Sequence, residues 1–177
     1  MTTPIDPRTI SDESPVTIQN CLGYIAFVWN ELQAFLAALS DEQTEQRTDA
    51  AGWAVKDHVA HLAAWENGIA ALLEGESRTQ AMGITEADWN LGDDGINDII
   101  FRQHREKDGE QAKAYLNHVH ARLLANLERL NDADLLRPYN SFDAASSSTG
   151  PIIEQIAGNT FGHYAEHLPW MRAIAQG

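Results

Sequence analysis

An all-α fold, a four-helix bundle with one additional short helix, is predicted by three observations. Apolar residues recur at steps of three and four along four long stretches, the spacing of one buried helical face. Those stretches are bounded by residues that start and stop helices, and the segments between them are polar. Nowhere does apolar and polar alternation mark a strand, and no internal repeat of roughly 20 to 50 residues suggests a solenoid.

The elements follow in order. Residues 1–13 are polar with two prolines and are expected to form an irregular arm, with residues 14–177 as a single bundle domain. Ser14 and Pro15 have the character of an N-cap and a first helical residue. From there Ile18, Leu22, Ile25, Trp29, Leu32, Leu36 and Leu39 describe one seam, predicting a helix over Pro15 to Leu39. Ser40 to Gly52 is a polar connection in which Ser40 and Gln43 have capping-box spacing. The second helix runs from near Trp53 to a stop at Gly75, with Val55, Val59, Leu62, Trp65, Ile69 and Leu72 on its apolar stripe. His58 and His61 lie beside that stripe, His58 nearer its centre.

Residues 76–94 are expected to form a long connection able to cover one end of the bundle. A short helix is predicted over Gly95 to Lys107, and Asp108 is placed to cap a fourth helix whose stripe runs from Ala112 to Leu130. His104, His118 and His120 are expected at the surface or its boundary. Asn131 to Gly150 has loop composition, and Pro151 opens the last helix. Ile153, Ile156, Thr160, His163, His167, Met171 and Ile174 form its seam, and Pro169 predicts a bend just past His167.

Composition narrows the function. At 177 residues, roughly 70% of the unfolded surface can be buried in one core. Twelve basic against 26 acidic residues give a formal charge of -14, which argues against nucleic acid and anionic lipid as partners. The single cysteine, Cys21, suits a reducing compartment. With no long apolar run and no signal-peptide pattern at residues 1–13, a cytoplasmic protein is expected.

The chemistry gathers at the last helix. His163 and His167 are four residues apart and share its inward face, so one cation could sit between them; two core histidines satisfied by other partners would give the same pattern. A third imidazole from the second helix, His58 or His61, would leave room for water or substrate on the ion. Such a cation lowers the pKa of bound water or thiol, and imidazole ligands without cysteine suit zinc, nickel, iron or manganese. Glu66 and Glu166, adjacent to these histidines in sequence, are the candidate catalytic acids or bases. Trp53, Trp65, Tyr164 and Trp170 are candidates for lining a pocket or for filling the core.

The stretch from Gly52-Trp53 through His58, His61, Trp65 and Glu66, taken with Gly158 to His167, resembles the DinB-like superfamily and most of all its ClbS/DfsB group. The Ile96-Asn97-Asp98 segment and residues 130–138 share the resemblance, which covers most of the chain after residue 15. It implies a four-helix bundle with a divalent metal on His61, from the second helix, and on the His163/His167 pair. It further implies chemistry of two kinds: transfer of a low-molecular-weight thiol to an electrophile, as in the wider superfamily, or hydrolytic opening of an electrophile, as in the ClbS branch. The expected function is therefore detoxification of, or self-resistance to, a small electrophilic compound. The alternative is a non-catalytic bundle that sequesters a small molecule and uses its histidines structurally. Pairing of exposed bundle faces would give a homodimer.

Overall fold

The computed structural model describes residues 15–177; the N-terminal arm and the Ser14 cap lie outside the described residues. Among the described residues ten α-helices follow one another: α1 (Ile18–Ala37), α2 (Asp41–Glu45), α3 (Val55–Leu73), α4 (Arg78–Ala81), α5 (Glu86–Trp89), α6 (Gly92–His104), α7 (Gly109–Leu127), α8 (Asp132–Leu135), α9 (Ile152–Gly158) and α10 (Phe161–Gln176). No strand occurs among the described residues. The four long helices α1, α3, α7 and α10 form the bundle. Local chemistry sets their ends: Thr17 caps α1, Ser40 and Gln43 form the expected box at α2, and Asp108 and Gln111 form another at α7. Gly75, at φ 77°, ends α3 with the amide of Glu76 returning to the carbonyl of Ala71.

Helix α3 is the centre of the molecule. Sixteen of its 19 residues are buried, so it has no solvent face. Its first half packs with Val28, Leu32, Leu116, Tyr164 and Met171; its second half packs with Ile25, Leu123, Leu127 and Ile156. A third cluster, built on Ala64 and Trp65, is covered by Met82, Ile84, Ile96 and Ile100. The small residues Ala60, Ala63, Ala64, Gly68, Ala70 and Ala71 make this three-sided packing possible. A β-carbon built at Gly68 would stand 2.8 Å from Met82 Sδ and 3.0 Å from Arg78 Cγ.

Three expectations are corrected. The 76–94 connection contains α4, α5 and the start of α6, because Ser77 and Thr85 cap short helices and Met82 and Ile84 bury themselves against α3. The last helix is not continuous: α9 ends at Gly158, Thr160 leaves helical geometry at φ -129° and ψ -109°, and α10 starts at Phe161. The interruption precedes His163, and α10 continues through Pro169. His120 is buried rather than peripheral. Its Nδ1 is 2.9 Å from Glu66 Oε1, the Tyr164 hydroxyl donates to Glu66 Oε2, and Trp29 stacks on the His120 ring at 3.5 Å.

That polar knot draws on α1, α3, α7 and α10 together. Burial pushes the Glu66 carboxyl above the usual range, while its bonds to His120 and Tyr164 pull it back down. Removing one partner strands an oxygen in the core. Tyr164→Phe should destabilise the protein by about 1–3 kcal/mol, read from urea unfolding, although it deletes a single atom. An unchanged midpoint would show that the knot is not holding the helices.

Candidate metal centre and its cavity

The histidines of α3 and α10 face each other. Ring nitrogens from His61, His163 and His167 all lie within 4.8 Å of one another. His61 Nε2 is 3.0 Å from His163 Nε2, and His58 Nδ1 is 2.9 Å from His167 Nδ1. Both α3 histidines therefore point inward: His58, which lies nearer the stripe centre on a helical wheel, and His61, which the resemblance implies, join His163 and His167 in a four-imidazole cluster. His61 completes the three-nitrogen group, and His58 stands against its edge.

Aromatic rings wall the cluster. Trp53 packs on His58 and His61 at 5.2 and 5.4 Å and is itself stacked on Phe101. Trp65 meets His61 and His163 edge-on, and Trp170 meets His167 at 4.8 Å. Trp65 is fixed by donating its indole N–H to Asn97 Oδ1 at 3.0 Å. Beside the imidazoles opens a cavity of about 1190 Å³, lined also by Trp89, Arg78, Asn159 and Glu166. Of the aromatic candidates, Trp53, Trp65 and Trp170 line it, whereas Tyr164 is fully buried in the core.

Burial is the main cause of the low basicity of these rings. It holds His163 down to about 4 and His167 to about 2, with nearby imidazoles adding to the effect. His61 is well below its ordinary value for the same two reasons. His58 is lowered by burial, partly offset by Asp49, whose Oδ2 is 3.7 Å from His58 Nε2. All four are therefore neutral near pH 7, the state in which imidazole ligates a metal.

The donor set fits a divalent cation on observations of its own. His61 Nε2 and His163 Nε2 meet as like atoms, while Nδ1 of both rings is buried without a hydrogen-bond partner. At metal–nitrogen bonds of about 2.1 Å, two nitrogens of a tetrahedral ion stand about 3.4 Å apart. The separations here, from 3.0 Å to at most 4.8 Å, bracket that value.

The two glutamates divide. Glu166 is exposed and lines the cavity next to His167. Glu66 is fully buried, has both oxygens engaged by His120 and Tyr164, and is absent from the cavity wall. Sequence reasoning passed over Arg78 and Asn159, which lie on the wall in segments expected to be a loop and an uninterrupted helix.

Fold and site together define a helical-bundle protein with a histidine cluster at an aromatic cavity. The chain belongs to the DinB superfamily, whose family model (DinB_2) matches residues 24–171. Similar solved structures include the colibactin self-resistance protein ClbS in complex with double-stranded DNA, at 17% identity and a TM-score of 0.71, covering 92% of this chain and 98% of that one. The sibling lethal factor precursor DfsB is 15% identical with a TM-score of 0.68, covering 92% and 95%. An uncharacterised protein from Escherichia coli UTI89 is 19% identical with a TM-score of 0.69, covering 94% and 96%. At these identities the likeness establishes the fold. No curated protein matches the sequence. The ClbS complex does not fit the expectation, drawn from net charge, that nucleic acid is excluded as a partner. Among the described residues no helix is long and apolar enough to cross a membrane.

Lowered imidazole pKa values give stability a sign. Unfolding returns each ring to its ordinary value near 6.5, so the unfolded chain binds more protons between that value and the folded one. In EDTA-treated protein the urea midpoint should fall as pH drops from 7 to 5. A His163→Gln, His167→Gln variant should lose less over the same interval. Parallel pH profiles for the two proteins would contradict the burial of these rings in neutral form.

Proposed function

We propose that His61, His163 and His167 hold one divalent cation of the zinc, nickel, iron or manganese group, and that the cavity beside them brings water or a low-molecular-weight thiol to a small electrophile. The observation that carries this reading is the convergence of neutral ring nitrogens from two helices at the wall of an aromatic cavity. Metal binding is common in the superfamily, and the self-resistance protein ClbS shares the fold. When bound, the cation supplies Lewis-acid activation that lowers the pKa of water or a thiol. The chain's own residues do the rest. Trp53, Trp65 and Trp170 hold the apolar part of the electrophile and exclude bulk water. Glu166, on the same wall, accepts the proton released by the nucleophile. Glu66 serves the core, and its effect on activity is through the position of α10.

A second reading has its own support. The four imidazoles also pair through one nitrogen of each ring, His58 with His167 and His61 with His163, contacts that a purely binding bundle makes without a cation. Because ClbS was crystallised with double-stranded DNA, duplex DNA joins the candidate ligands, to be read by gel shift at low salt.

Elemental analysis of protein purified without a nickel column should find about one cation per chain, absent from a His163→Ala, His167→Ala variant. Incubation with a reactive epoxide, with and without glutathione and added metal, should then show multiple turnovers. Protection limited to one equivalent, in metal-free and metal-loaded protein alike, would replace catalysis with sequestration. Glu166→Gln should lower turnover about 10²-fold or more while metal content stays the same.

A further inference from the structure

Arg78 presents a charge problem that the histidine site does not use. Its side chain is 7% exposed, yet no carboxylate pairs with it among the described residues, in a chain with 26 acidic side chains. Its acceptors are neutral. Nη1 donates to Gln155 Oε1 at 3.1 Å and makes a long contact of 3.5 Å with the Tyr139 hydroxyl, and Nη2 donates to Asn159 Oδ1 at 3.1 Å. Nε is buried with no acceptor at all. The guanidinium lies over the rings of Trp89 and Trp65, 5.0 and 5.6 Å from their centres. Trp65 in turn touches His61, so one indole separates the buried cation from the imidazole cluster.

A buried arginine held in place by amides and indoles, with donors left over, has its geometry set but its charge uncompensated. Helix α3 helps to hold it: Gly68 leaves the space against which the Arg78 stem lies. The same side chain lines the wall of the histidine cavity.

We propose that Arg78 is an anion subsite, and that the molecule bound in this cavity carries a carboxylate or similar oxyanion on its apolar body. The inference rests on the reading of the cavity as a ligand site and names the class of ligand it takes: an amphipathic organic anion whose planar part lies against Trp65 and Trp89. The oxyanion supplies the acceptor that the protein withholds, and the forked guanidinium favours a planar carboxylate over a point charge. A ligand anchored there extends past Trp65 toward the imidazoles, so its anionic end and its reacting end are separate groups.

The test compares 2-naphthoate with its neutral isostere 2-naphthamide, by quenching of tryptophan fluorescence in EDTA-treated protein. Naphthoate should bind roughly tenfold more tightly. That preference should persist in the His163→Ala, His167→Ala variant, which separates this subsite from the metal reading. In Arg78→Gln the preference should vanish while naphthamide affinity stays within about twofold; a merely structural arginine would weaken both probes together. Arg78→Lys, retaining charge without the fork, should keep part of the preference. Should the glutamine variant fail to fold by circular dichroism, the ¹⁵Nε–H resonance of Arg78 in the wild type, assigned with the lysine variant, should shift with naphthoate and not with naphthamide. Equal affinities for the two probes, no binding of either, or a preference that survives Arg78→Gln overturns the proposal.

Discussion

Helix α3 has no side that faces water, and most of the molecule follows from that. A helix buried on every face must find a partner inside the protein for each polar group it carries. Its lysine can reach out from the first turn, where Lys56 Nζ donates to the carbonyls of Arg105 and Lys107. His58, His61 and Glu66 lie deeper and cannot. The chain resolves them on two different faces: the histidines meet two more imidazoles from α10, and Glu66 turns to where His120 of α7 and Tyr164 of α10 take both of its oxygens. One face ends in ring nitrogens opposed to ring nitrogens, an arrangement that invites an ion. The other is closed by complementary donors and acceptors. The same burial rule thus yields a candidate reactive site on one side and a rivet on the other.

The walls around the imidazoles fix their character. Trp53, Trp65 and Trp170 hold them in low-polarity surroundings, and the resulting loss of basicity keeps them from becoming a cluster of mutually repelling cations. Four protonated rings within contact distance would push α3 and α10 apart. Neutrality is therefore a condition for the bundle as well as for ligation, so the residues that tune the site also protect the fold.

How much of this was legible in the chain depended on whether a residue's neighbours are near in sequence. The seams of α1 and α7, the capping box at Ser40, the cap at Asp108 and the stop at Gly75 are local, and each was readable from the sequence. The pairing of His163 with His167 is local too. What faces them is not: His58 and His61 sit on either flank of a stripe, and a helical wheel ranks them without knowing that α3 is buried all round, so both turn inward. His120 was misplaced for the same reason. Next to the charged and polar residues of α7 it has a surface neighbourhood in sequence, but Glu66, Tyr164 and Trp29 reach it from three other helices. The 76–94 segment hid two helices because four-residue helices carry no periodicity, only their caps.

The break between α9 and α10 shows what a seam drawn from spacing alone leaves out. Gln155, Asn159, His163 and His167 are each four residues apart, and all four line the cavity. In an unbroken helix of 3.6 residues per turn, every fourth residue advances by about 40°, so the row from Gln155 to His167 would wind through about a third of a turn. The departure of Thr160 from helical geometry interrupts that drift and gives the row a second phase. Gln155 and Asn159, on the first segment, take hold of Arg78, while His163 and His167, on the second, meet the histidines of α3. Thr160 stays fully buried through the break because its hydroxyl donates to the carbonyl of Ile156, leaving no stranded polar group. The interruption is thus what lets one stretch of chain address two chemically different ends of the same cavity, a cationic one and an imidazole one.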